Sequence, residues 1–255
     1  MAIITFLSDF GESDHYVAAV KAKILSINNA LQIVDLSHQI AACDVAHGAY
    51  VLNSVFRDFP EGTVHLVAVN SAGQPGDSQI AIKLEGHYFI GTDNGLFGLI
   101  SDQNPEYQVD INISKQASTF PTKQILAEAA AKIAGGTSIT DIGQPIEHYK
   151  KMLGRHLKAN KSLISGHVIR VDHFGNLITN IDKTAFDILS KGKAYNITFS
   201  RENSRRIHEN VNNVDAGDIF IIFNDQHKLE IGINQGNAAE LLGLGYDSPV
   251  MINFE

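Results

Sequence analysis

Apolar positions along the chain fall into two regimes. Ile3, Ile4, Phe6 and Leu7 make an almost wholly apolar run, the pattern of a strand buried on both faces. Val17, Val20, Ile24 and Ile27 then recur at helical spacing and predict a helix that begins near His15 and stops at Asn28-Asn29. The alternation continues. It predicts strands over 31–36, 63–69, 80–84, 87–90 and 107–113, a helix from Asp44 through Phe56, and an Ala-rich helix over 124–134 ended by Gly135-Gly136. Residues 1–148 therefore read as an α/β domain, with a mainly parallel sheet in Rossmann-like layers. From Leu163 the runs are short and β-rich, at 168–171, 194–199, 218–223, 228–233 and 250–254, with one short helix near 183–189. Residues 163–255 read as a small all-β barrel or sandwich.

The stretch between them, 149–162, is basic and poor in apolar residues: Lys150, Lys151, Arg155, His156, Lys158 and Lys161 fall within it. No aromatics interleave the lysines and the chain is otherwise acidic, which favours a solvated linker over a nucleic-acid patch. The net charge of −8 likewise disfavours general nucleic-acid binding. Cys43 is the only cysteine, so a disulfide framework and thiolate metal sites are excluded, and a reducing cytoplasm is expected. No apolar run is long enough for a membrane helix, and no basic segment precedes the first apolar run as a signal peptide requires.

The candidate chemistry lies at strand ends: Asp9, Ser37-His38, Asn70 and Asp93-Asn94. On a parallel sheet these fall along the carboxyl edge, where ligands bind. Asp9 is either a helix cap or an acceptor for paired sugar hydroxyls. No phosphate-cradling glycine loop is present. Asp35, His38, Asp44 and His65 include metal-ligating types, but HExxH spacing is absent and no metal is expected. No GxSxG elbow supports Ser-His-Asp hydrolysis. In the second domain, Asp172-His173-Phe174-Gly175-Asn176 combines a stacking face, a flexible backbone and an amide. It reads equally as a nucleobase reader or as a hairpin turn.

Taken in order, these motifs resemble one family. Ser8-Asp9-Phe10-Gly11 with Tyr16-Val17, Asp35-Leu36-Ser37-His38-Gln39-Ile40, Phe59 to His65, Thr92-Asp93-Asn94-Gly95-Leu96, Thr119-Phe120, Asp172 to Asn180 and Leu229 to Ala239 are similar to the S-adenosylmethionine (SAM) hydroxide adenosyltransferases, relatives of the fluorinating and chlorinating enzymes. The resemblance implies an α/β domain followed by a β-barrel. It also implies a homotrimer that holds SAM between one subunit's first domain and a neighbour's second. It implies no resident cofactor, with SAM as substrate or ligand. Asp9 would hold the ribose diol, Asp172 the methionine amino group, and Phe174 with Asn176 the nucleoside. The backbone about Asn234, over 233–235, would meet the adenine edge.

The chain departs from that family where water is handled. Asn70 stands where the hydrolases carry Asp, Asp77 or Ser78 near where they carry Arg, and Phe120-Pro121-Thr122 where a His follows Phe. Neither Asn nor Pro can act as a base. Asn70 and Thr122 are then the candidate catalytic positions, Thr122 by analogy with a halide-binding hydroxyl of the halogenating relatives. The Ser expected before the Leu229 strand is replaced by Asp225-Gln226. Expected, therefore, is cleavage of SAM at C5′ to adenosine and methionine. The alternatives are a binding module that has lost turnover, and transfer to a nucleophile other than water.

Overall fold

The computed structural model describes residues 2–112, 118–152, 154 and 156–255. The chain divides into two compact units, residues 1–153 and 154–255.

The first unit contains β1 (Ile3–Ser8), α1 (Tyr16–Ile27), β2 (Gln32–Ser37), α2 (Val45–Val55), β3 (Val64–Ala68), β4 (Gln79–Leu84), β5 (His87–Thr92), β6 (Tyr107–Asp110), α3 (Ala127–Ala134) and β7 (Gln144–Pro145). Its seven-stranded sheet has the order β2-β1-β3-β5-β4-β6-β7. Alternation along β1 assigns the two layers. Ile4 and Phe6 pack with Val20, Ile24 and the alanines of α3, whereas Leu7 packs with Ala49 and Leu52 of α2. The expected α/β/α layering is present.

The expected parallel sheet is only half right. β2, β1, β3 and β5 run parallel, but β4, β6 and β7 join antiparallel. The reason is the two-residue connection between β4 and β5. Glu85 (φ 50°) and Gly86 (φ 77°) both adopt left-handed geometry, which makes a tight hairpin and leaves no room for a crossover helix. The strand expected over 107–113 ends at Asp110, and Ile113 lies outside the described residues.

The second unit contains β8 (Lys158–Ala159), β9 (Leu163–Val171), β10 (Leu177–Asp182), α4 (Lys183–Ser190), β11 (Tyr195–Phe199), β12 (Glu202–Ser204), β13 (Ile219–Phe223), β14 (Lys228–Ile233), α5 (Ala238–Leu242) and β15 (Pro249–Phe254). All its strand pairs are antiparallel, in the order β12-β11-β15-β9-β10-β14-β13, with β8 also on β9. The sheet curls because β9 pairs along its first half with β15 and along its second with β10, across a register shift at Ile178/Thr179.

The all-β expectation holds in the form of a curled antiparallel half-barrel. Among the described residues β12 and β13 end the order without pairing; after β12, His208 N–H bonds the Ile221 carbonyl of β13 (2.6 Å) and Ile221 N–H bonds His208 Nδ1 (3.1 Å). The sequence pattern predicts neither strand β10 nor helix α5. Among the described residues no helix is long and apolar enough to cross a membrane.

Candidate active site

β1, β2, β3 and β5 end on one edge of the first sheet, and there Asp9 organises its neighbours. Its Oδ2 accepts from the backbone N–H of Cys43 (2.9 Å) and of Asn70 (3.0 Å). Both donors are non-glycine residues in the left-handed region, Cys43 at φ 61° and Asn70 at φ 48°. Such backbone costs on the order of 1 kcal/mol per residue, and a charged acceptor offsets it. Asp9 is not a helix cap, since the N-cap of α1 is His15, with no side-chain cap hydrogen bond. Its second oxygen has no hydrogen bond among the described residues and remains available to a ligand.

Asn70 therefore serves Asp9 through its backbone. Its carbonyl also takes Gly73 N–H at 3.0 Å, and Asn94 Nδ2 bonds the Val69 carbonyl at 2.9 Å, so the β3 and β5 exits lock together. Asp77, in the position of the family's Arg, is not a spare base. Burial works upward on its carboxyl, but the Gln74 N–H and the Lys150 ammonium outweigh this and hold it below the ordinary carboxylate range. Asp93 accepts from Lys150 N–H at 2.8 Å, and burial pushes its carboxyl up.

Thr122 opens a π-helical turn over Thr122–Leu126, in which Ala127 N–H bonds the Thr122 carbonyl. Its hydroxyl is fully buried with no hydrogen-bond partner among the described residues. Buried hydroxyls are normally partnered, and π-turns cluster at functional sites. Just before it, Phe120 meets Phe10 (5.8 Å) and Tyr16 (5.5 Å) edge to face.

In the second unit, the run at Asp172 forms the turn that the sequence allowed. Asp172 Oδ1 accepts from Phe174 N–H (2.9 Å) and Asn176 N–H (2.8 Å), and Gly175 N–H bonds the Asp172 carbonyl, closing a turn between β9 and β10. Asp172 Oδ2 takes Asn176 Nδ2 at 3.1 Å. The turn leaves Phe174 73% exposed, as the wall of an open pocket of about 580 Å³ shared with Asn176, Phe220, Ile233 and Gln235. Asn234 itself does not line that pocket: its amide donates to the Val214 carbonyl at 2.9 Å, while its neighbours Ile233 and Gln235 face the cavity.

Glu230, unremarked in the sequence, sits close enough to Asp172 to feel its charge. Burial, then Asp172 and Asp225, push its carboxyl up against the Asn224 amide at 3.1 Å. Two neighbouring carboxylates of this kind suit an ammonium ligand.

Gly175 (φ 82°) supplies a test of the pocket. A Cβ there would stand 2.0 Å from Asn237 Oδ1, on the pocket wall. Gly175→Ala is expected to weaken adenosine binding by calorimetry roughly tenfold or more, through strain and clash together.

Among the described residues no group of three or more His, Cys, Asp or Glu converges as metal ligands would. His65 lies in the core with His87, and Asp44 caps α2 by accepting His47 N–H at 2.9 Å.

Comparison with known proteins matches both units. Residues 4–143 match the SAM hydroxide adenosyltransferase N-terminal domain, and residues 166–251 its C-terminal domain. The (R)-S-adenosyl-L-methionine hydrolase of Methanocaldococcus jannaschii is 33% identical over 189 residues, 71% of this chain and 67% of that protein. The enzyme of the same name from Thermus thermophilus is 28% identical over 99% of this chain and all of its own. A fluorinase from an Actinoplanes species is 28% identical over 76% of this chain and 75% of its own. A crystal structure of an uncharacterized conserved protein from Thermotoga maritima superposes with a TM-score of 0.88 at 26% identity, over 99% of both chains. The chain belongs to the SAM hydroxide adenosyltransferase family.

Proposed function

We propose that the protein cleaves S-adenosyl-L-methionine at C5′ with water, giving adenosine and L-methionine. The observation that carries this is Asp9: one oxygen is fixed by two backbone N–H groups and the other is left for a sugar hydroxyl. Relatives named as SAM hydrolases support it. In the reaction a water oxygen bonds C5′ as the C5′–S bond breaks. The electron pair goes to sulfur, which turns from sulfonium to neutral thioether, and one proton leaves to solvent. The leaving group is already cationic, so no general acid is needed. What the site must supply is a fixed, poorly hydrated nucleophile.

We assign that positioning to the Thr122 hydroxyl, a buried oxygen without a partner among the described residues that opens a π-turn, in place of the family's Asp, Arg and His. Asp172 and Glu230 would hold the methionine ammonium, and Phe174, Asn176 and the backbone beside Asn234 the adenosyl group. A homotrimer fits this division, since each unit carries part of the recognition. A cytoplasmic location and the absence of any resident cofactor belong to the same proposal.

The test is incubation of the purified protein with each sulfonium epimer of SAM, with products followed by chromatography. Adenosine and methionine above the buffer control are expected. Tight binding without turnover would make the protein a binding module instead. In the same assay Thr122→Val is expected to lower kcat about tenfold or more with little change in KM, because it removes one hydrogen bond to the attacking water.

A further inference from the structure

We propose that His38 is the positioning residue for Asp9, gripping the Ser8–Gly11 turn at both ends so that recognition of the ribose diol depends on it; this rests on the reading of Asp9 as the ribose ligand. The imidazole Nδ1 lies 2.7 Å from Ser8 Oγ, and the His38 carbonyl accepts Gly11 N–H at 2.8 Å. Asp9 and Phe10 are thus strung between two contacts to one residue. Ser8 is fully buried and His38 nearly so, its ring 4.7 Å from that of Phe6. A hydroxyl and an imidazole placed this deep cost desolvation, which an apolar pair would avoid. The polar pair is therefore worth its cost only for what it holds in place.

The rest of the cluster sets the ring's role. Asp35 Oδ1 lies 3.1 Å from His38 Nε2, within ion-pair reach though off the line of a hydrogen bond, and Lys21 on α1 holds the other Asp35 oxygen. A carboxylate beside Nε2 favours the tautomer protonated there, which leaves Nδ1 to accept the Ser8 hydroxyl proton. Burial works upward on Asp35, but Lys21 and His38 outweigh it and keep the carboxyl ionised.

The loop that carries His38 also brings Cys43, whose N–H holds Asp9 Oδ2, and is tied to α2 through Ala41 N–H on His47 Nδ1 at 3.1 Å. Ser8, His38, Asp35 and Lys21 thus link α1, β2 and β1 to the Asp9 carboxylate. Ser8 Oγ is itself sealed from solvent, so this Ser-His-Asp set positions rather than attacks.

The experiment compares adenosine with 2′,3′-dideoxyadenosine by calorimetry on wild type, His38→Leu and His38→Asn, with melting temperatures alongside. Wild type is expected to prefer adenosine by about a hundredfold, from hydrogen bonds between the diol and a charged acceptor. His38→Leu is expected to reduce that preference to within about threefold, whereas His38→Asn, whose amide oxygen can stand near the Nδ1 position, retains most of it. A general loss of stability would weaken both ligands alike and leave the ratio unchanged. Should His38→Leu not fold, Ser8→Ala carries the same expectation.

A wild-type ratio in the variants overturns the role of His38 while leaving Asp9 as the ribose ligand. No preference in the wild type overturns both.

Discussion

Replacing Asp9 with alanine is expected to lower kcat/KM for SAM by roughly two to four orders of magnitude. Hydrogen bonds to a charged group contribute about 1.5–3 kcal/mol each, and a diol offers two donors. The substitution also releases the Cys43 and Asn70 N–H groups, which Asp9 holds at 2.9 and 3.0 Å, so the two left-handed loop residues lose their shared acceptor. Asp9→Asn separates these contributions. Its amide oxygen can still serve both backbone donors, but its NH₂ then faces the sugar and cannot accept from a hydroxyl. About tenfold is expected for Asn, well short of the loss for Ala. Steady-state kinetics with calorimetry of adenosine binding checks both, and an Ala variant within threefold of wild type would remove Asp9 from the site.

The strand ends were legible because an apolar run that stops at Ser8-Asp9-Phe10-Gly11 needs no tertiary information to be read as a buried strand with a polar exit. What holds Asp9 was not legible. Its donors are backbone N–H groups 34 and 61 residues away, and N–H direction depends on φ, which composition does not report for Cys43 and Asn70. The sheet's half-antiparallel character was missed for a related reason. Glu85-Gly86 lacks the Asn-Gly or Asp-Gly signature of a tight hairpin, yet it adopts that geometry.

The turn at Asp172 shows the opposite case. Turn and nucleobase reader are alternatives in sequence; the turn is present, and its hydrogen bonds leave Phe174 exposed on a pocket wall. Around Asn234 the chain turns the Asn234 amide to Val214 and leaves the pocket lining to Ile233 and Gln235. The Lys150–Asp77 ion pair joins positions far apart in sequence and has no local signal.

The stability of the first unit is expected to fall steeply as pH drops from 6.5, because His65 is built into its core as a neutral ring. His65 is fully buried, stacked 4.9 Å from Phe89 and edged by Phe59 at 6.0 Å. Thr5 Oγ1 lies 2.7 Å from its Nδ1, and His87 Nδ1 3.2 Å from its Nε2. One proton per ring satisfies this chain if Thr5 donates to His65 and His65 donates to His87; a second proton on His65 would bring charge into the phenylalanine cage. Burial, with a smaller contribution from His87, lowers the His65 pKa from 6.5 to about 3. Above pH 6.5 the folded and unfolded states are both neutral and the group contributes no pH dependence. Below it the unfolded chain binds the proton first, so stability falls by ~1.4 kcal/mol per pH unit until about pH 3, a total of ~5 kcal/mol. That is comparable with the whole stability of many domains. His87 is lowered as well, by burial first, and adds in the same direction. The carboxylates held low by their partners, Asp35, Asp77 and Glu85, lose their contribution only at more acid pH, and Asp93, pushed up by burial, works in the opposite direction to the histidines. Urea unfolding followed by circular dichroism at pH 7, 6 and 5 is expected to show a loss of about 2 kcal/mol from His65 alone. His65→Gln, which cannot titrate, should start less stable at pH 7 yet lose correspondingly less on acidification. An unchanged acid slope in that variant would place the titrating group elsewhere.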